Sequence, residues 1–590
     1  MIYVSAGDED EVELILKGVD ISCEENSPIF IANAGEVKIK ANKNTTNTIT
    51  DKRALKIEDD SSQGEGAIYS TCDLKLNGTG SLTVTGSYNN GIHGKDDVSI
   101  KNQTLIVSAP HHAVKGNDSI SIEEGGNFTF IGVGGDGLHT ENSDISSKGK
   151  QRGDITITAG DITIYSATDG IDAAHDVIIQ DGVDDDLNVT TPKITIYTNK
   201  YAGDYVGEAY ETSTSTMYLK TTSYSSSYRY SVYFYNDDLS SGVWADATYK
   251  TSMSEGQGRW GSSTYYYYEL SKPSGYSSYR IFRFSSSESN SLTSYSSCSN
   301  GGVINTNYDT VYISVSSSKI TTGSWSNFSS SSSTFGPGGM MDQGNKDKAE
   351  VSAKGIKADN AIQIDNGSIT IQAYDDGLHA NYGATLENGL TGAGDIYVNG
   401  GEINIIASDD GCHADSTLSI SGGTLYVSAY EGLEGNHIEI SGGTSYVYGT
   451  DDAVNATKGK FSEIYLKVSG GYLFAAVSSN GDVDGIDSNG NIYITGGVAI
   501  ACGPSSGMAS ALDYDGKASV SGGTLLIYGR PETEPSYSSG ITRTYKSGSY
   551  ASNKTHTVTI GGSSITTGTF KSTYSSLYCY SQLGSLTSAN

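Results

Sequence analysis

Long apolar runs are missing from this 590-residue chain, and no helical period survives over any long window. The first absence excludes a membrane-spanning helix, the second an α-helical architecture. Basic residues are few: Lys and Arg number 37 against 68 Asp and Glu, a formal net charge of −31. Nucleic acid and anionic membrane surfaces need clustered Lys and Arg, so neither is expected as a partner, and cations are the natural counterpart. The six cysteines (Cys23, Cys72, Cys298, Cys412, Cys502, Cys579) are scattered, with no C-x-x-C and no zinc spacing, and carry no redox signal. The opening residues, MIYVSAGDEDEVELILKGVDIS, lack the basic and apolar regions of a signal peptide and read as the middle of a strand pattern. The expectation is an extracellular chain, secreted or at the cell surface, whose export signal has been removed.

What the chain does hold is strand-and-turn material. Gly numbers 73 and Pro only 8, and Ser, Thr, Asn and Asp fill the gaps between short runs of Val, Ile, Leu and Tyr. Length alone suggests several domains, but repeats override that arithmetic. The stretch DDGCHA at 409–414 has relatives throughout: NGIHG at 90, HAVKG at 112, DGLHT at 136, DGIDA at 169, then KGIKA at 354, DGLHA at 376, EGLEG at 431, DAVNA at 452, DGIDS at 484 and SALDY at 510. Most steps are about 21 to 26 residues; three are about 32 to 34, with the extra residues always after the motif, on one corner. A second landmark, NGGEINI, SGGTLYV, SGGTSYV, SGGYLFA, TGGVAIA or SGGTLLI, joins a tight glycine corner to an alternating strand. A unit of about 22 residues is too short for a propeller blade and lacks the Leu/Asn signature of leucine-rich repeats. It suits one coil of a parallel β-helix.

Stacked coils turn sequence columns into ladders. The apolar column runs Ile92, Val114, Leu138, Ile171, Ile356, Leu378, Cys412, Leu433, Val454, Ile486 and Leu512, an expected inward core in which Cys412 is a small core residue. Two positions earlier stand Asp136, Asp169, Lys354, Asp376, Asp410, Glu431, Asp452 and Asp484, with Asp375, Asp409 and Asp451 beside them and Asp172, Asp482 and Asp487 in the same loops. Carboxylates on neighbouring coils, about 4.8 Å apart, repel by about 3 kcal/mol at an effective dielectric near 20. The column can turn outward, pair with the interleaved Lys and His, or hold a hard cation on oxygen ligands; Asp is also a good corner residue that bonds backbone amides. Calcium is the cation expected at one or more of these aspartate clusters. Just after the apolar column come His93, Lys115, His139, Asp172, Lys357, His379 and His413, expected as an external polar ladder able to contact an extended ligand rather than as transition-metal ligands.

The chain resembles the clostridial carbohydrate-binding domain family over about 1–197 and 346–530. The resemblance rests on VELILKGVDIS, SPIFIANAGEVKIKA, TTNTITD, DLKLNGTGSLTVTG, GIHGKDDVSI, KGIKAD and the D-D-G repeats. It implies a right-handed parallel β-helix related to pectate lyases, affinity for pectic and cellulosic polysaccharide, secretion or surface attachment, and calcium on corner aspartates. HHAVKGND departs from the pattern, with histidine where an acidic or small residue is more usual.

Residues 198–345 interrupt the repeat; they are rich in Ser and Tyr and contain Trp244, Trp260 and Trp325. Alternation in YRYSVYFYND, TYYYYEL and YRIFRFS predicts a small β-sandwich over about 225–315. Trp244 and Trp260 are candidate sugar-stacking residues. Residues 531–590 form a last coil or cap. The function expected is non-catalytic, calcium-dependent binding of acidic plant polysaccharide. One alternative is a calcium-dependent pectate lyase with Lys354 or Lys357 as base. The other is a structural surface adhesin.

Overall fold

The computed structural model describes residues 1–56, 63–184, 186–206, 216–221, 224–236, 239, 242–256, 262–271, 273, 276, 278–294, 296–298, 302–303, 311–315, 325–327, 352–387, 389, 391–481, 483–507 and 509–589. Among these the chain is nearly all β, with two single turns of 3-10 helix (Asn199–Tyr201 and Gly203–Tyr205) and no helix long and apolar enough to cross a membrane.

Two compact units divide the chain, one built from 1–207 and 351–590, the other from 208–350. In the first, each repeat supplies three short strands, as in Asn90–Gly94, Asp97–Lys101 and Thr104–Ala109. Each pairs in parallel with its counterpart one repeat on: Ile92 with Val114, Val98 with Ile120, Leu105 with Phe128. Cys412–Ile420 and Leu433–Ile440 run through the corner between the first two strand columns and fuse them into one sheet. Among the described residues that sheet counts 26 strands, and the third column forms a parallel sheet of 16 that ends on two antiparallel strands. All three columns continue across the interruption, pairing Ile171 with Ile356, Val177 with Ile362 and Ile194 with Ile369.

Alternation places every second residue inside. All eleven members of the apolar column, Cys412 included, have no exposed surface, and burial pushes the Cys412 thiol far up. The glycine pairs make the corner into the third column. Gly401, Gly423 and Gly443 take φ of 85°, 72° and 70°, and a Cβ on Gly423 would lie 2.7 Å from the Gly400 carbonyl oxygen; only glycine allows corners to stack this closely.

The last residues reverse direction. Tyr574–Ser581 pairs antiparallel with both Thr524–Tyr528 and Thr542–Tyr550, closing the edge that the last parallel strand would leave open. Val558, Ile560, Phe570, Tyr574 and Leu577 cover the outward side chains Phe474, Ile500 and Leu526 in a second apolar core.

The second unit is antiparallel around Tyr228–Tyr235, which lies between Gly242–Gly256 and Ser278–Ser285. Gly242–Gly256 carries on past a bulge at Tyr249/Thr251 to pair with Ser262–Ser271. Tyr230, Val232, Phe234, Tyr279 and Ile281 meet Leu219, Tyr268 and Leu270 in its core.

Candidate functional site

Where each coil enters its first strand, two side-chain columns three residues apart run side by side. The inner column answers why aspartate recurs. One carboxylate oxygen accepts the backbone N–H of the next coil's corner: Asp169 donates to Asp136 Oδ1 (2.9 Å), Lys354 to Asp169 (2.7 Å), Asp410 to Asp376 (3.0 Å), Asp484 to Asp452 (2.7 Å) and Ser510 to Asp484 (2.5 Å). Asn90 does the same for the His112 amide at 3.2 Å. The first role of the column is therefore to satisfy backbone donors that the corner leaves unpaired.

The second oxygen meets the outer column, whose register runs unbroken from Tyr3 through Phe30, Tyr69, His93, Lys115, His139, Asp172, Lys357, His379 and His413 to Glu434, Asn455 and Asp487. In the middle stretch charges alternate. His139 Nδ1 lies 3.0 Å from Asp136 and 3.2 Å from Asp172. Lys357 Nζ lies 2.9 Å from Asp172 and 4.0 Å from Asp169. Lys354 contacts Asp375, with Asp376 3.6 Å away. His379 pairs with Asp376 at 2.6 Å and His413 with Asp410 at 2.7 Å. Burial works against these charges, and the partners override it at some of them only: burial and then Asp136 and Asp172 push Asp169 up to about 7, and burial and then Asp376 keep Asp375 raised. Asp136 and Asp376 are held far below the usual carboxylate range, His139 is raised to about 9, and Lys354 and Lys357 are raised as well.

The acidic stretch beyond behaves oppositely. Burial and then the like charges of Asp484, Asp513 and Asp515 push Asp487 up to about 8. Asp452 is raised well above the ordinary range by burial and then by Asp487, Asp484 and Glu431. Burial and Asp410 lift Glu434 to about 7. Asp410, between the two stretches, is raised to about 6, with burial leading and His413 opposing.

The remaining sequence-predicted residues fall as follows. Asp375 and Asp409 are buried beside Asp376, while Asp451, Asp452, Asp484 and Asp487 are half-buried. Lys115 pairs with Glu141 at 2.8 Å. The expectation of an external ladder fails at His93, which is 1% exposed: Tyr69 packs on its ring edge and Asn117 bonds its Nε2 at 3.0 Å. Burial, with the Lys115 charge, drops that imidazole to about 4, so His93 is a neutral packed residue with no face for sugar. The side chains of His139, Lys357, His379 and His413 keep only 14 to 24% exposure, because they turn inward to the carboxylates. Trp244 is half-buried against Tyr233, Phe282 and Phe284, at the rim of a depression lined also by Asp246, Ser271 and Pro273. Trp260 and Asp482 lie outside the described residues.

Two features escaped the sequence reading, and a third was legible only as a departure from the pattern. The outer column begins with an aromatic run, Tyr3, Phe30 and Tyr69, at ring separations of 5.6 and 5.1 Å. His112 occupies the inner column where most coils carry aspartate; the pair His111–His112 at the DD position was its signal. On the outer face of the third column Tyr165 stacks with Tyr197 at 5.4 Å and with Tyr205 at 3.9 Å, a recurrence visible in DITIYS and KITIYT.

The model of one family, described as carbohydrate-binding domain-containing protein, matches residues 1–228, 296–393 and 390–502, well over half of the chain. The chain belongs to the carbohydrate-binding domain family. A family relative from Acetivibrio thermocellus, also described as a carbohydrate-binding domain-containing protein, is 37% identical over 109 residues, 18% of this chain. The match spans 38% of that relative's length. A solved structure, the polysaccharide lyase-like protein from C. thermocellum as its gadolinium derivative, is 30% identical, with a TM-score of 0.29, over 34% of this chain and 74% of that one.

Proposed function

We propose that this member of the carbohydrate-binding domain family is an extracellular, non-catalytic binder of acidic plant cell-wall polysaccharide, that calcium bridges protein and sugar, and that its parallel sheets are the walls of a right-handed β-helix. The observation that carries the calcium reading is the acidic stretch, where the charges acting most strongly on Asp452 and Asp487 are other carboxylates. Its donors are all hard oxygens, the set calcium takes. A chain of net charge −31 meets polygalacturonate only through a bridging cation or through local Lys and His. In the middle stretch Lys354, Lys357 and the histidines do part of what calcium would do, which makes Asp376 the weaker candidate, while Asp169 stays raised and Asp375, Asp376 and Asp409 keep carboxylate oxygens within 4.8 Å of one another. Sugar contact then falls to the exposed edge of the ladder at His139, Lys357 and His413.

The lyase alternative needs a lysine that surrenders its proton near neutral pH. Lys354 and Lys357 are both stabilised as ammonium by the aspartates they touch, which argues for binding without cleavage. The test is retention of polygalacturonate and cellulose by the whole chain with calcium and with chelator, followed by absorbance of unsaturated uronide. Polygalacturonate should be held in calcium, released by chelator and left uncut. Retention that ignores chelator would sink the bridging role. Unsaturated product that Lys354→Ala or Lys357→Ala abolishes would make the protein a lyase.

A further inference from the structure

The rung at Asp136 differs from those at Asp376 and Asp410 in how many imidazoles touch one carboxylate oxygen. At Asp376 and Asp410 one imidazole serves one carboxylate, each His bonding the Asp three residues before it. At Asp136 two imidazoles converge on one oxygen: His112 Nδ1 and His139 Nδ1 each lie 3.0 Å from Oδ2, with their rings stacked at 4.2 Å and 6° from parallel. His139 Nδ1 also lies 3.2 Å from Asp172 Oδ2.

Hydrogen bonds account poorly for this arrangement. His139 Nδ1 is buried and aligned for a hydrogen bond to neither carboxylate. His112 Nδ1 accepts the Asp136 amide at 3.1 Å, so it turns a lone pair, not a proton, toward the region of the carboxylate oxygen. Three donor atoms, His112 Nδ1, His139 Nδ1 and Asp136 Oδ2, lie within 4.8 Å of one another, and both nitrogens lie 3.0 Å from the oxygen, near the spacing of about 3.3 Å around a tetrahedral ion with bonds near 2.0 Å. From this convergence of His112, His139 and Asp136 we propose that the corner is a binding site for a divalent transition metal of the zinc type, with a water as its fourth ligand.

The chemistry follows from the exchange of residues within the column. Where later coils place DD, this coil places His111–His112, replacing hard oxygen donors by imidazole nitrogen and moving the preference from calcium toward zinc. The outer part of the carboxylate ligand is already fixed. Asp136 Oδ1 is held by the Thr168 hydroxyl (2.5 Å) and the Asp169 amide (2.9 Å). Such second contacts orient ligands in metal sites generally. Binding exchanges the amide bond on His112 for a coordination bond and displaces the proton of His139. This site shares His139 with the sugar reading, but zinc binding without sugar tests it separately.

The test is a calorimetric titration of the full, tag-free chain with zinc chloride in millimolar calcium, with cobalt(II) as a spectroscopic probe. One equivalent should bind despite the calcium, and cobalt should give the intense visible bands of a tetrahedral ion. His112→Asn is the diagnostic variant, because Asn90 shows that an amide oxygen can cap the next coil's corner while removing the imidazole. It and His139→Gln should each weaken zinc binding at least about tenfold, with thermal stability in chelator checked alongside. Absence of saturable zinc binding in calcium, or binding unchanged in both variants, overturns the site.

Discussion

Two stretches of one ladder, Asp136 to His413 and Glu431 to Asp513, share their corners, their backbone hydrogen bonds and their apolar column, and differ in the source of positive charge. In the first, His139, Lys354, Lys357, His379 and His413 supply most of it from within the chain, and Asp169, still pushed up to about 7 by burial and then by Asp136 and Asp172, is where they fall short. In the second, carboxylates face carboxylates, and Asp487 and Asp452 are pushed toward neutrality. The backbone therefore takes a side-chain acceptor at most corners, an oxygen or the His112 nitrogen, but does not need its charge. What compensates the charge is a separate choice, made by the outer column, and where that column is acidic the compensation has to come from solvent as a proton or a metal ion.

The harshest way to break this contrast is to remove a cation from the compensated stretch. Lys357→Met leaves Asp169 and Asp172 buried, with one partner fewer. Breaking a buried pair in this way costs about 3 to 5 kcal/mol, and the loss should appear as a lower midpoint in denaturant at neutral pH. If the two stretches differ only in where the positive charge comes from, calcium should restore part of that loss in Lys357→Met while stabilising the parent chain through the acidic stretch alone. A midpoint that falls by less than about 1 kcal/mol would mean that the ladder is already well solvated.

Much of this architecture was legible because burial in a repeat is a column property. The motif at KGIKA aligned with DGIDA across the interruption, and Ile356 pairs with Ile171. The aspartates were legible as corner residues with a charge problem, and Lys354 and Lys357 as neutralisers. What stayed hidden depends on distances no spacing encodes: that each carboxylate divides its oxygens between an amide and a cation, and that His93 is sealed by Tyr69 and Asn117. The reversal at Tyr574–Ser581 was hidden too. That strand pairs antiparallel on an edge, which needs only alternation and leaves no column to align.

A milder intervention acts on the acidic stretch. A carboxyl that titrates higher in the folded chain than in the unfolded one contributes stability at low pH and loses it as pH rises toward the folded value. Asp487, at about 8 when folded, should thus make the chelated protein lose about 2 to 3 kcal/mol between pH 4 and pH 8, allowing for its partial exposure. Calcium should cancel the loss, since a ligand at 100 times its Kd adds about 2.7 kcal/mol. Asp487→Asn should flatten the pH profile in chelator and remove most of the calcium increment. A variant that follows the parent in both conditions would show the acidic stretch to be ordinary surface.

The smallest effect separates the two roles of a single carboxylate. Asp452 accepts the Asp484 amide at 2.7 Å while sitting among other acids. Asparagine keeps the acceptor and removes the charge, as Asn90 does in the same column; alanine removes both. Losing the acceptor under a half-buried amide costs about 1 kcal/mol, offset by relief of repulsion that both variants share. In chelator at pH 8, Asp452→Asn should therefore be at least as stable as the parent and more stable than Asp452→Ala by about 1 kcal/mol. In calcium both should fall below the parent, because both have lost a ligand. Equal midpoints for the two variants in chelator would show that the corner amide finds water instead, and the recurrence of aspartate would then rest on its charge alone.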